Sequence, residues 1–256
     1  MNILNIEHVS KIYGDKTIFD DIAFGIQQGD KIGIIGINGT GKTTFLKILA
    51  GIEEPDEGQV IRQNGLRISF LPQHPVFPEG AAVLSYVAGK KKGEDWIPET
   101  EAKMVLNKLG IRSHEEEISH LSGGQKKRIA LAAVLVNPAD ILILDEPTNH
   151  LDNEMAEWLE AYLNRFKGAV IMVTQDRYFL ARVTNTILEL SHGKVYSYEA
   201  KYSRFLEMKA EREEMELASE RKRQSILRIE QEWAKRGCRA RSTKQRARLE
   251  RLEAMK

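Results

Sequence analysis

Lys31-Ile-Gly-Ile-Ile-Gly36-Ile-Asn38-Gly39-Thr40-Gly41-Lys42-Thr43-Thr44 decides the fold of this chain. After Lys31 its first part is a short apolar run of the kind buried strands have. From Gly36 to Thr43 it matches the pattern G-x4-G-K-[ST] of loops that wrap a phosphate. A strand running straight into glycines and then into the helix-forming stretch Lys42–Ala50 is the setting that motif requires. The glycines let successive backbone N–H groups converge on an anion with no side chain in the way, and the helix adds the positive end of its dipole. Lys42 is placed to hold β- and γ-phosphates, and the Thr43 hydroxyl to ligate Mg²⁺. An ordinary glycine-rich turn is the weaker alternative.

Working outward, strand-like runs recur at residues 3–9, from Thr17, at 67–71, 141–145, 169–174 and 186–190, with helical patterns at Lys42–Ala50, Gly124–Val136 and Asn153–Phe166. Strands alternating with helices predict an α/β domain over residues 1–200 with a mostly parallel central sheet, and 72–120 reads as a helical subdomain. Ile141-Leu-Ile-Leu-Asp145-Glu146 is a buried strand that delivers two carboxylates to the same sheet edge as the glycine loop. Asp145 fits a metal-organising role and Glu146 a base that orients an attacking water. On their own, two acids at a strand end are as often a solvated turn. In Leu121-Ser122-Gly123-Gly124-Gln125, Ser122 is either a helix N-cap or part of an anion site made of a hydroxyl and unpaired N–H groups.

The glycine loop, LSGGQ and ILILDEP, in this order and at these spacings, resemble the ATP-binding cassette (ABC) superfamily. The resemblance covers residues 1–198 and implies a P-loop cassette with a parallel central sheet, an antiparallel β subdomain and a helical subdomain. It also implies ATP and Mg²⁺ as ligands, gathered by residues 36–44. In that family Ser122, Gly123, Gly124 and Gln125 contact the γ-phosphate held by an opposing cassette, so each site needs two. Tyr13, 23 residues before Gly36, matches the aromatic that stacks on adenine, a core or surface tyrosine being the alternative. Gln73 matches the glutamine that senses Mg²⁺ and the γ-phosphate, and Leu151-Asp152 the loop that reads the partner cassette. Gln175, in VTQDRYFL, stands where the family usually has a switch histidine. A glutamine can hydrogen-bond a phosphate but carries no positive charge, so slower hydrolysis with retained ATP binding is expected.

Composition bounds the remaining possibilities. The chain has 256 residues, 42% hydrophobic and 29% charged, enough apolar content for a real core. No apolar run approaches the roughly 20 residues that span a bilayer, no secretory signal opens the chain, and the lone Cys238 rules out an internal disulfide framework. A soluble, cytoplasmic protein is the expectation. The near-neutral total hides an asymmetry: residues 201–256 carry 17 basic and 10 acidic residues, net +7, while residues 1–200 carry 21 and 27, net −6. Residues 202–236 lack Pro and Gly and predict one long helix; Gly237-Cys238 then suggests a turn and Arg239–Met255 a second, antiparallel arm. Glu211, Glu213, Glu214 and Glu216, followed by Arg221, Lys222 and Arg223, are expected to pair along the first arm and stiffen it. Lys235, Arg236, Arg239, Arg241, Lys244, Arg246 and Arg248, with no acid among them, make a basic hairpin tip suited to an RNA backbone, a solvated basic helix being the alternative.

Pro147-Thr-Asn-His-Leu-Asp152, Asp176-Arg-Tyr-Phe-Leu180 and the tail together resemble the ABC-F family, its Uup-type branch in particular. That family's members are soluble tandem-cassette ATPases that act on ribosomes through a helical hairpin linker. The resemblance implies a first cassette followed by a truncated linker (201–256), with the second cassette of the same chain missing, ribosomal RNA and tRNA as partners, and no membrane. It further implies that ATP closes two cassettes, hydrolysis reopens them, and stalled translation is relieved. A transporter ATPase subunit and an ATPase binding nucleic acid off the ribosome are the rival readings.

Overall fold

A computed structural model describes residues 2–89 and 99–235, with side chains up to residue 232. The chain divides into two compact units, Met1–Ser203 and Arg204–Lys256. In the first, β1 (Asn2–Tyr13), β2 (Lys16–Gln27) and β4 (Glu57–Arg62) form an antiparallel sheet in the order β2-β1-β4. The central sheet contains β3 (Lys31–Ile35), β5 (Ile68–Leu71), β6 (Ile141–Asp145), β7 (Ala169–Val173), β8 (Thr186–Ser191) and β9 (Lys194–Tyr198). Their order is β5-β6-β7-β3-β8-β9; the first five run parallel, and β9 closes the edge antiparallel to β8.

Parallel strands covered on both faces are apolar at nearly every position, and alternate residues serve opposite cores. Ile141, Ile143, Ile171 and Val173 join Ile32, Ile34 and the buried Phe45, Leu46, Ile48 and Leu49 of α1 (Lys42–Ala50) in the core shared with the antiparallel sheet. Leu142, Leu144, Val170 and Met172 face the second core. That core is filled by α4 (Gly123–Val136), by Leu159 and Leu163 of α5 (Asn153–Arg165) and by Phe179, Leu180 and Val183 of α6 (Arg177–Val183). Between β5 and β6 lie α2 (Val83–Ala88), α3 (Glu99–Lys108) and a 3-10 turn at Ile118–His120, with one isolated bridge joining Ala82 to Glu117. These helices lie within 72–120, the stretch read from the sequence as a helical subdomain, of which residues 90–98 are outside the described residues.

Three elements were not expected from the sequence. In β4 only Val60 is half-buried, so Glu57–Arg62 carries no alternation strong enough to read and owes its strand to pairing with β1. β9 and the seven-residue α6 are too short to establish a period.

The described part of the second unit is α7 (Tyr202–Lys235), 34 residues and about 50 Å long. The expected turn at Gly237-Cys238 and the second arm lie outside the described residues. Ion pairing along α7 differs from expectation: Glu213 pairs with Lys209 at 3.6 Å and Glu216 with Arg212 at 3.9 Å, both four residues upstream. Arg223 pairs with Glu220. Glu213 and Glu216 thus take partners from cations on the preceding turn, because residues three or four apart share a helix face and Arg221 falls opposite Leu217 rather than a glutamate. Among the described residues no helix is long and apolar enough to cross a membrane.

Candidate nucleotide site

Four parallel strands end at one edge of the central sheet and deliver the site. β3 runs into residues 36–41, which lead directly into α1. Gly41, at the helix N-cap, has φ +92°, and a Cβ there would lie 2.2 Å from Ile18 Cγ2, so the position accepts only glycine. A Cβ on Gly36 would come within 2.7 Å of the Leu190 carbonyl oxygen. Asn38 and Gly39 stand exposed at the loop tip, and Thr40 ties the loop by donating its hydroxyl to the Ile37 carbonyl at 2.9 Å. No side chain caps α1, leaving its first N–H groups directed at the loop concavity. The Lys42 ammonium folds back over the loop, donating to the carbonyls of Gly36 (2.8 Å) and Ile37 (3.0 Å). Burial lowers its pKa, opposed by Glu146 and Asp145.

β6 brings the acid pair to the loop. Thr43 donates its hydroxyl to Asp145 at 2.9 Å, joining α1 to the strand end. Both acids are buried, and burial raises both pKa values. For Asp145 the Thr43 hydrogen bond and the cations Lys127 and Lys42 oppose the rise. Glu146 has φ +52°, a left-handed backbone unusual for a side-chain-bearing residue, and its N–H donates to the Val173 carbonyl at 2.8 Å. Gln175, just beyond β7, donates its backbone N–H to the Glu146 carboxylate at 3.3 Å. The residue at the switch position is therefore in contact with the acid read as the base.

The remaining candidates divide. Tyr13, about half exposed, donates its hydroxyl to Glu53 and contacts Thr44, with the Lys11 ammonium 5.5 Å from its ring centre. Gln73 follows β5, and its side chain is exposed. Ser122 caps α4 in a capping box: Gln125 N–H donates to Ser122 Oγ (3.3 Å), while Ser122 N–H donates to Gln125 Oε1 (3.0 Å). Gly123 and Gly124 open the helix. Among the described residues no hydrogen bond joins 122–125 to 36–43. The Asp152 carboxylate caps α5 through Met155 N–H at 2.9 Å. Lys235 ends α7, and Arg236, Arg239, Arg241, Lys244, Arg246 and Arg248 lie outside the described residues.

Three features carry no local sequence signal, because each depends on segments far apart in the chain. Lys16 donates to the Gly39 carbonyl at 3.0 Å, placing a second ammonium at the loop tip. Thr148 and Thr174 share a hydroxyl–hydroxyl bond of 2.7 Å that ties the segment after Glu146 to the one before Gln175. Lys127 is buried in α4 and donates to three main-chain carbonyls.

The residues fit a magnesium-bound nucleoside triphosphate. A hydroxyl and a carboxylate meet where a cation would sit, with a lysine, an open helix N-terminus and a loop too tight for a side chain beside them. Fold and site together define a P-loop ATPase of the ATP-binding cassette class. A family model described as "ABC transporter" matches residues 19–149, and a second with that description matches 188–256. The chain belongs to this family, the ATP-binding cassette proteins.

Its relatives include those the ABC-F resemblance implies. The chain is 45% identical to the "Uncharacterized ABC transporter ATP-binding protein YfmR" of Bacillus subtilis, over 100% of its own length and 47% of that protein's. It is 35% identical to "Energy-dependent translational throttle protein EttA" of Mycobacterium tuberculosis (99% and 52%) and 33% identical to "ATP-binding protein Uup" of Buchnera aphidicola (100% and 44%). The chain thus spans about half the length of these relatives. Among solved structures, a dimeric cassette in a post-hydrolysis state bound to ADP and Pi aligns with TM-score 0.65 and 26% identity, over 78% of this chain and 99% of that one. A structure described as the ATP-binding subunit of an ABC transporter aligns with TM-score 0.68 and 22% identity, over 77% and 90%, and shares the fold.

Proposed function

We propose that the chain is the ATP-binding and ATP-hydrolysing cassette of a cytoplasmic ABC-F translation factor, one that binds the ribosome near tRNA and relieves stalled translation. The observation that carries this reading is the joint match of cassette and tail: proteins named as a translational throttle align with 99% of the chain, through the 34-residue α7. The basic run 235–248 supplies charge of the sign that RNA phosphates attract.

In this reading residues 36–44 hold the triphosphate, Lys42 exchanging its loop carbonyls for phosphate oxygens, and Tyr13 and Lys16 border the nucleotide. Thr43, Asp145 and Gln73 would hold Mg²⁺, which when bound neutralises phosphate charge. Glu146, its pKa raised by burial, takes the proton of the attacking water, and Gln175 orients that carboxylate. Ser122–Gln125 and Asp152 serve a site completed by a second cassette; among the described residues, 122–125 make no hydrogen bond to this chain's own loop. Closure on ATP favours the ribosome-bound state, and hydrolysis releases it. A lone cassette hydrolyses weakly, because its own loop receives no opposing Ser122.

Phosphate release measured with 70S ribosomes, duplex DNA and lipid vesicles tests the reading. Stimulation by ribosomes alone supports it, and reversal of Arg239, Arg241 and Arg246 to Glu should then abolish salt-sensitive ribosome binding. The likeness to the ATP-binding subunit of an ABC transporter favours a second reading, a transporter ATPase. Stimulation by vesicles holding a membrane partner, without response to ribosomes, would select it. Response to duplex DNA alone would select an ATPase acting off the ribosome.

A further inference from the structure

Lys127 is one of the few buried charges of the cassette, at 6% exposure. Its ammonium has three protons, and it is bonded to three acceptors: the carbonyls of Pro72 (3.0 Å), Gln73 (2.8 Å) and Asp145 (3.0 Å). An ammonium taken out of water without a hydrogen-bonded carboxylate is costly to fold, and burial lowers its pKa against the pull of Asp145 and Glu146. The rest of the buried face of α4 is apolar, from Ile129 to Val136, so packing alone would be served by a hydrocarbon side chain.

The acceptors explain the charge. β5 and β6 are parallel neighbours in the register Leu71 to Leu144, so Pro72, Gln73 and Asp145 mark two adjacent strand ends. The chain leaves the core for the helical subdomain at Pro72 and comes back to the core along α4. Lys127 therefore clamps the departing strand, the returning helix and the acid-bearing strand at one point. Ser122 caps the same helix five residues earlier, about 7.5 Å along its axis. We infer that Lys127 is a positioning residue: it holds Gln73 and Asp145 in the register that Mg²⁺ and ATP require and carries any shift of that register along α4 to Ser122. A site reading its own metal through Gln73 and offering Ser122 to an opposing cassette would be coupled through this one side chain.

The inference rests on the assignment of Asp145 and Gln73 to the metal end of the site, and the test separates the two. Binding of a fluorescent ATP analogue to the full 256-residue chain is titrated in EDTA and in Mg²⁺, for wild type, Lys127→Met, Lys127→Gln and Lys127→Arg, alongside thermal unfolding. In EDTA all folded variants should bind within about twofold of wild type, because the phosphate loop is untouched. In Mg²⁺ Lys127→Met should lose most of the affinity gain, on the order of tenfold, and Lys127→Arg should recover part of it through its guanidinium donors. Lys127→Gln keeps two N–H donors without the charge and should fall between them, and it serves in place of Lys127→Met if that variant does not fold. Equal Mg²⁺ gains in wild type and in whichever of Lys127→Met and Lys127→Gln folds would overturn the positioning role. No Mg²⁺ gain in wild type itself would overturn the metal assignment on which it rests.

Discussion

The Thr43 hydroxyl and the Asp145 carboxylate meet at 2.9 Å although 102 positions separate them in the chain. The contact exists because β3 and β6 both end at the same sheet edge, with β7 between them. It binds the first turn of α1 to the acid strand at the point where a metal would be shared between the two. Thr43→Val keeps the shape and removes the hydroxyl. It should weaken nucleotide binding in Mg²⁺ by about tenfold while leaving binding in EDTA nearly unchanged, as read by fluorescence titration.

Glu146 is buried, its carboxyl pushed up by burial and held by the Gln175 backbone N–H. A base in that position is expected to contribute about 10²- to 10⁴-fold to the hydrolytic step. Glu146→Gln should therefore reduce phosphate release by at least about a hundredfold with ATP binding retained. Loss of binding together with turnover would instead mark Glu146 as a binding or folding residue.

Gln175 can orient the Glu146 carboxylate, but it cannot place a positive charge beside a transferring phosphate. Gln175→His should raise the rate of phosphate release severalfold in single-turnover measurements, most clearly near pH 6 to 7, where an imidazole is partly protonated. Unchanged turnover would show that residue 175 has no role in the chemical step.

Tyr13 keeps half of its surface free while Glu53 accepts its hydroxyl proton and Thr44 lies alongside. Stacking of a base on such a ring contributes about 1–3 kcal/mol. Tyr13→Ala should lower ATP affinity by about five- to 150-fold. Tyr13→Phe, which loses only the hydroxyl, should stay within a fewfold of wild type by equilibrium titration.

Lys31 stands at the end of β3 opposite the glycine loop, donating to the carbonyls of Phe166 (2.6 Å) and Gly168 (3.0 Å). Burial lowers its pKa from 10.5 to about 8. Below pH 8 the folded and unfolded chains both hold the proton, and the burial penalty is fully present. Between about 8 and 10.5 the folded chain loses the proton while the unfolded chain keeps it, so stability rises with pH. Relative to Lys31→Met, wild type should gain on the order of 1–3 kcal/mol of unfolding free energy across that window. Denaturant melts of both proteins at pH 7, 8.5 and 10 measure it, and parallel curves would contradict the shift.

Much of the cassette is legible in local chemistry. Residues 36–44 carry their own geometry, since Gly41 must take a positive φ and Lys42 opens a helix, and the apolar runs of β6 and β7 read as buried strands. Ser122 and Gln125 form a capping box whose spacing is visible in four consecutive letters. By contrast, β4 became a strand only by pairing with β1, and Glu213 and Glu216 took partners upstream because helix phase, not charge order, sets which side chains meet. The sequence alone determined that a phosphate loop, an acid-ended strand and a capped glycine helix exist. Tertiary structure alone decided that Thr43 meets Asp145, that Thr148 meets Thr174, and that Lys127 closes on three carbonyls from two other strand ends. Those contacts follow from which strands lie side by side in the sheet, a property set by how two cores are filled at once and by no stretch of neighbouring residues.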